Sequence, residues 1–531
     1  MQPYSLTLDR ILDHAAEWHG RREVVTWAAS GRKLRSSYRE VRLRAMRFSN
    51  ALRHLGVVEG DRVATLAWNT IDHVEAWYGI MGLGAVCHTL NPRLFLDQIA
   101  WIIDHAEDRL LVVSPGLLPL ARELAARCPS IEAVIVLRGG DEGAETGPAL
   151  HRYDDLIEDR EEEGARWGAF GEEAAAGLCY TSGTTGDPKG VLYSHRSNYL
   201  HALTSIQPDM LGLRATDTVL PLVPMFHANA WGLVFSCPAV GAKLVLPGDR
   251  LDGASVSELI NSEGVTFAAA VPTVWQDYVN YLKSSGERPA ALDRVLIGGA
   301  AVPEGLVCDL ASFGVRVIHA WGMTEASPIG TVNADVCETA GLEGNERSEL
   351  TLKQGRPPLG VSLALKGDES EAAPRDGAAN GRLMIRGHSI ARAYFRQDTP
   401  ILDAEGWFDT GDIARIDPLG FMQITDRAKD VIKSGGEWIS SMDIENIAAS
   451  HAEVTRAAVI GVPHEKWGER PLLILVCERP SEGLADEIRT LLSGKIAKWW
   501  IPDEIRFADA IPLGATGKID KKALRLELLA S

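Results

Sequence analysis

The densest chemistry in this chain lies in one run, Tyr180-Thr181-Ser182-Gly183-Thr184-Thr185-Gly186-Asp187-Pro188-Lys189-Gly190. Glycines at 183, 186 and 190 let backbone N–H groups approach a polyphosphate with no Cβ in the way. The hydroxyls of Thr181, Ser182, Thr184 and Thr185 add hydrogen-bond donors and an oxygen ligand for magnesium. Lys189 supplies a point charge for a phosphate oxygen. The alternative is an ordinary Gly/Ser/Thr-rich surface loop. A Walker A loop is excluded by spacing: after Gly183 and four further residues stands Pro188, where that motif needs Gly-Lys-Ser/Thr. The second glycine cluster, Gly79 to Gly84, lacks the third glycine of a dinucleotide fingerprint and reads as close helix packing.

Apolar Ala174 to Cys179 runs into the loop as a strand would, and the region before it alternates two periods. Thr7 to Trp18 reads as a capped amphipathic helix closed by Gly20. Val41, Ala45, Phe48, Leu52 and Leu55 share one helical face. Arg62 to Ala67 is a strand, Ile71 to Gly84 a helix, Leu110 to Val113 a strand, Leu117 to Arg127 a helix and Ala133 to Leu137 extended. This rhythm predicts parallel sheet with helices on both faces. Gly139 to Gly147, Glu158 to Gly164 and Glu369 to Gly381 read as loops, the last between strands. The texture changes after Thr425-Asp426-Arg427. Beyond it come helix Met442 to Ser450, strands Ala457 to Gly461 and Leu472 to Cys477, a helix around Leu484 to Leu492, strand Ile505 to Ala508 and a last helix Lys521 to Leu529. The fold expected is α/β: a large N-terminal domain of layered α/β sheets over 1–428 and a small α+β C-terminal domain over 429–531.

Composition bounds the function. The chain has 531 residues, 46% hydrophobic and 24% charged, which suits a folded chain of more than one domain. A net charge of −18 argues against broad binding to nucleic acid or anionic membrane. Seven scattered cysteines without a C-x-x-C pair read as reduced thiols of a cytoplasmic protein. Met1 to Gly20 has no apolar h-region and reads as no secretory signal. The 25 residues from Thr218 to Ala242 carry no Asp, Glu, Lys or Arg. Pro221, Pro224 and Pro238, with Gly232 and Gly241, break them too often for a membrane span, so the segment reads as core backbone lining an apolar pocket.

The run from Tyr180 to Gly190 resembles the phosphate-loop signature of the adenylate-forming superfamily, and six further landmarks follow in that family's order. Gly298-Gly299-Ala300-Ala301-Val302-Pro303 resembles its adenine-side loop, and His319-Ala320-Trp321-Gly322-Met323-Thr324-Glu325 its aromatic-Gly-x-Thr-Glu motif. Gly406 to Asp412 resembles the ribose motif, Asp426 to Lys429 the hinge, Ser434-Gly435-Gly436-Glu437-Trp438 the loop after it and Gly514 to Asp520 the catalytic-lysine loop. The resemblance implies that Thr181, Ser182, Gly183, Thr184, Thr185 and Lys189 cradle the phosphates of ATP, with Thr181 and Glu325 on Mg2+. It places Gly299, Ala300, Ala301, His319, Ala320, Trp321, Gly322, Met323 and Thr324 against the nucleotide. Trp321 stands where many relatives have tyrosine, and either ring can stack on adenine. Asp412, with Arg427, is implied for the ribose hydroxyls, and Lys433 and Trp438 for further nucleotide contacts.

Lys518 is implied as the adenylation lysine, carried on a mobile C-terminal domain that turns about Lys429. One orientation brings Lys518 in; the other brings Ser434, Gly435, Gly436 and Glu437 to the acyl site for transfer to coenzyme A. On the substrate side, Pro224 to Gly232 contains no Asp to hold an α-ammonium, which disfavours an amino acid. By resemblance His227 lies near the activated carboxylate and Trp231 gates an acyl tunnel. The implied activity is ATP-dependent ligation of a medium- to long-chain fatty acid to coenzyme A. The alternatives are a thioether acid such as 3-methylmercaptopropionate, a luciferase-like oxygenase, a carrier-loading enzyme, or a non-catalytic sensor on the same scaffold. Analogy also implies a homodimer formed through the N-terminal region.

Overall fold

The computed structural model describes residues 1–27, 33–138, 149–158, 167–181, 187–367, 372–434, 437–513 and 519–529, the side chains at 437, 438, 528 and 529 apart. Two large sheets dominate. One takes, in spatial order, strands Ile329–Val332, Arg316–Gly322, Arg294–Ile297, Phe267–Ala270, Thr218–Pro221, Lys243–Leu246, Glu23–Trp27 and Lys33–Ser37. The other takes Ala149–Arg152, Ala133–Val136, Leu110–Val113, Arg62–Leu66, Val86–Thr89, Ala175–Thr181 and Lys189–Ser194. Both are parallel inside and antiparallel only at an edge, as the alternating pattern predicts.

One continuous core draws on both sheets and on helices Asp9–Trp18, Tyr38–His54, Ile71–Gly82 and Leu233–Val240. Helix Tyr38–His54 forms because Tyr38, Val41, Ala45, Phe48 and Leu52 recur on one buried face. Ser37 caps it by accepting from the Glu40 amide, worth about 1 kcal/mol. Gly79 lets the neighbouring helix approach: a Cβ there would stand 2.8 Å from the Ala45 carbonyl oxygen. The cluster read as packing glycine is therefore that. Helix Asp9–Trp18 starts later than its sequence suggests and has no side-chain cap; the amide of Leu8 instead donates to His195 Nδ1 over 3.1 Å. A partner 187 residues away replaces the local one.

The segment without charges becomes strand Thr218–Pro221, a loop, a tight turn Ala228–Trp231 and helix Leu233–Val240. Among the described residues no helix is long and apolar enough to cross a membrane. A four-stranded antiparallel sheet follows, of Val361–Lys366, Gly381–Gly387, Phe408–Ile416 and Met422–Arg427. Of the expected loop Glu369 to Gly381, residues 372–380 lie between two of its strands and Gly381 opens the second; 369–371 lie outside the described residues, as do the expected loops at 139–147 and 159–164.

The smaller C-terminal domain is built on a sheet of Glu437–Ile439, Ile432–Ser434, Gly468–Val476 and Arg456–His464, with Glu504–Phe507 beside Gly468–Val476. Helices Ser441–Ala449 and Leu484–Ser493 share its core, and Lys521–Leu529 lies against strand Arg456–His464. The α/β chain with a large N-terminal and a smaller C-terminal domain expected from the sequence is what the structure has. The two parts meet at Asp426, which is buried; its carboxylate accepts from the Ser441 amide at 2.6 Å and the Ser441 hydroxyl at 3.0 Å.

Candidate active site

The phosphate loop hangs between two antiparallel strands, with Thr181 paired to Lys189 and Tyr180 to Gly190 across its base. Ser182, Gly183, Thr184 and Thr185 lie outside the described residues. The Tyr180 hydroxyl is 2.5 Å from His105 Nδ1. The Lys189 ammonium sits 4.9 Å from the centroid of the Tyr394 ring, a cation–π contact. Tyr394 donates its hydroxyl to Glu325 Oε1 at 2.7 Å. Burial and the Glu325 carboxylate both push the Tyr394 phenol far above its ordinary range, so it stays a donor. The backbone locks the same parts: Ala391 N donates to Glu325 O at 2.7 Å, Phe395 N to Gly190 O at 2.8 Å. Tyr394 thus bolts the expected phosphate lysine to the expected metal carboxylate. Nothing in the sequence marks it, because Glu325 is 69 positions away.

Glu325 is buried in the short turn Thr324–Ala326. Among the described residues no group of three or more His, Cys, Asp or Glu side chains forms a metal cage. One carboxylate with a neighbouring hydroxyl suits magnesium, which keeps its waters and takes remaining ligands from substrate phosphates.

The expected nucleotide side is built on regular strands. Strand Arg294–Ile297 ends in Gly298-Gly299, where Gly299 has φ +79° and a Cβ on Gly298 would lie 3.0 Å from the Ala320 carbonyl. Trp321 is only 8% exposed and packs among Ala326, Leu363, Leu383, Ile385 and Phe408. Its Nε1 donates to Asp412 Oδ2 at 2.9 Å, and Arg427 Nε stands 2.9 Å from Asp412 Oδ1. Asp412 and Arg427 are cross-strand partners in the four-stranded sheet. The His319 ring is turned into the core instead. Its Nδ1 meets Thr351 O at 3.1 Å, Gln354 lies at its Nε2, and burial lowers its pKa to about 4. A nucleotide contact therefore does not describe the His319 side chain. Ala320 is buried on the same strand.

The expected acyl side is built from irregular backbone. Ala228, Asn229, Ala230 and Trp231 all have positive φ (39°, 63°, 49° and 55°), followed by Gly232 at 79°. A left-handed conformation costs an ordinary residue about 1–2 kcal/mol, so the surroundings must impose this run. Asn229 donates to Asn198, and the His201 ring packs on Gly232 with its Nε2 accepting from Ile329 N. Upstream, buried Asn69 donates to the carbonyls of Pro221 and Val223 and accepts from Met225 N at 2.8 Å. His227 packs against Phe226, ring centroids 5.0 Å apart. The Trp231 ring lies against Gly298 and Gly299, so the acyl and nucleotide sides touch. Asn69, Asn198 and His201 carried no motif in the sequence.

The remaining expected residues belong to the last sheet. Lys433 is exposed, Ser434 is buried with its hydroxyl 3.5 Å from Arg470 Nη1, and Lys433 pairs in register with Trp438. Gly435, Gly436 and Lys518 lie outside the described residues.

The burial of Glu325 and the pairing of Asp412 with Arg427 on neighbouring strands fit the adenylate-forming class that the sequence resembles. The chain belongs to the AMP-binding enzyme family, which it matches over residues 12–395, with the AMP-binding enzyme C-terminal domain over 443–518. It is 47% identical to a medium-chain-fatty-acid–CoA ligase of Ectopseudomonas oleovorans, over 99% of this chain and 96% of that one. It is 45% identical to a 3-methylmercaptopropionyl-CoA ligase of Ruegeria lacuscaerulensis, over 99% and 98%. A crystal structure of an anthranilate CoA ligase with anthranoyl-AMP superposes with a TM-score of 0.86 at 26% identity, covering 100% of this chain and 99% of that one.

Proposed function

We propose that this enzyme is an ATP-dependent acid–CoA ligase acting on a medium- to long-chain fatty acid. It would form acyl-AMP and pyrophosphate, then pass the acyl group to coenzyme A. The observation that carries the reading is likeness over 99% of the chain to acid–CoA ligases; the link of Lys189 to Glu325 through Tyr394 and the pairing of Asp412 with Arg427 support it. The thioether acid 3-methylmercaptopropionate is the second reading, because a relative named for it is nearly as similar.

In the first half-reaction a carboxylate oxygen attacks the α-phosphorus of ATP and pyrophosphate leaves. Lys189 and the phosphate loop hold the β- and γ-phosphates. Glu325 and Thr181 would hold a magnesium ion, which supplies charge neutralisation at the phosphates. Asp412, which accepts from Trp321 and pairs with Arg427, accepts from the ribose hydroxyls. Lys518 brings an ammonium to the α-phosphate, and His227 stands at the carboxylate. Trp231 gates the acyl chain. We assign 1–428 and 429–531 to two domains that alternate about Lys429, with Ser434 to Glu437 entering for the thioester step. We also assign the enzyme to the cytoplasm and to a homodimer; light scattering that gives a 57.6 kDa particle overturns the dimer.

The test is product formation from ATP, coenzyme A and a panel of acids from acetate to long-chain fatty acids, with 3-methylmercaptopropionate and benzoate. AMP and acyl-CoA are scored separately by mass spectrometry, with Lys518→Ala alongside. Acyl-CoA and AMP together, with adenylation lost in the variant, support the ligase and rank its acids. Acyl-AMP without thioester points to a carrier-loading or oxygenase role. No acid-dependent AMP overturns the enzyme.

A further inference from the structure

We infer that Trp321 is a positioning residue for the ribose carboxylate, and that its indole N–H governs how strongly the site reads the ribose hydroxyls of ATP. The inference rests on the assignment of Asp412 to the ribose.

A tryptophan has one donor, and here it is spent on Asp412 Oδ2 at 2.9 Å. The ring bearing it is fixed on every side. It is 8% exposed, lies in the core of the four-stranded sheet and presses on Gly330, where a Cβ would stand 2.4 Å from the indole. Gly330 lies on strand Ile329–Val332, which pairs with the tryptophan's own strand. The second protein partner of the carboxylate differs in kind. The Arg427 side chain is 49% exposed, so water competes with it and salt screens it. The Asp412 side chain itself is 3% exposed. Of these two partners of the buried carboxylate, one is buried and held by packing and the other is half exposed to water. The buried one sets the plane of the carboxylate and hence the direction of its remaining lone pairs.

This changes what the aromatic does. A ring free to stack on adenine would contribute the same to any adenine nucleotide. A ring locked by its edge to Asp412 contributes through the ribose, and only when hydroxyls are present to be read.

The test compares binding of ATP and of 2′,3′-dideoxy-ATP to the full-length enzyme by isothermal titration calorimetry. Trp321→Phe keeps an aromatic ring and removes the donor. Wild type should prefer ATP, and Trp321→Phe should weaken ATP by about tenfold, the usual order for a hydrogen bond to a charged group. It should weaken the dideoxy nucleotide by less than twofold. Equal weakening of both nucleotides, or of neither, overturns the inference and leaves Trp321 a packing or stacking residue. Should Trp321→Phe fail to fold, Trp321→Tyr serves, since tyrosine is common in relatives here. Its hydroxyl lies on the ring axis, not on the edge facing Asp412, so the same pattern is expected. Absence of ATP binding by wild type overturns the nucleotide assignment itself; binding of both nucleotides alike by wild type overturns the role of Asp412 and this inference with it.

Discussion

The nucleotide side and the acyl side of the site meet where Trp231 rests on Gly298 and Gly299, yet they are made differently. On the nucleotide side regular strands deliver side chains, and the work lies in pairs such as Trp321–Asp412 and Tyr394–Glu325. On the acyl side four consecutive residues are held left-handed, and the side chains around them exist to keep the backbone there. A conservative change to an exposed or polar partner such as Glu325 should therefore alter chemistry with little change in stability. Changing one on the second should alter stability and acyl handling together.

The largest effect should come from the first side. Glu325→Gln is nearly isosteric and can still accept from Tyr394. It should lower kcat/KM in acid-dependent pyrophosphate exchange by about a hundredfold or more, with little change in Tm. Asn69→Ala tests the second side. It strands the carbonyls of Pro221 and Val223 and the amide of Met225, and should cost about 3 kcal/mol in urea unfolding. The KM for the acid should rise while ATP affinity stays within about twofold of wild type. A third experiment places one substitution on both sides. Ala414→Gly, in a buried regular strand, should cost about 1 kcal/mol or more. Ala230→Gly, at φ 49°, should fall within about 0.5 kcal/mol of wild type or exceed it, since glycine carries no penalty there. Equal costs would erase the distinction.

The last test is a pH slope. Burial lowers the pKa of His201, beneath Gly232, from its ordinary 6.5 to about 3. Between those values the unfolded chain binds a proton that the folded chain does not, so stability falls as pH drops from 6.5 toward 3. His319 adds the same on the nucleotide side, with its pKa at about 4. His201→Gln can keep an acceptor for Ile329 N, and should remove up to one proton from the acid slope of stability measured from pH 4 to 7.

How much could be read from sequence follows the same division. The strand before the phosphate loop, the parallel sheets and the packing glycines were legible, because residue type and local spacing carry them; the association of Asp412 with Arg427 came only through the family resemblance. Tyr394 was not, because its partner Glu325 lies far along the chain and a lone tyrosine signals nothing. The left-handed run was hidden because Ala-Asn-Ala-Trp does not announce positive φ; only Gly232 hinted at it. His319 was read as a nucleotide contact from its place in a motif, but the burial of its ring is decided by Thr351 and Gln354. Thr7 looked like a cap because nothing local foretold that His195 would take the Leu8 amide.

Asp426 and Arg427 are neighbours at the end of one strand, and successive side chains of a strand point to opposite faces. Arg427 reaches toward Asp412, while Asp426 holds the first turn of helix Ser441–Ala449. One strand end therefore ties two elements together across a single peptide bond: the strand that carries Asp412 and the first turn of helix Ser441–Ala449.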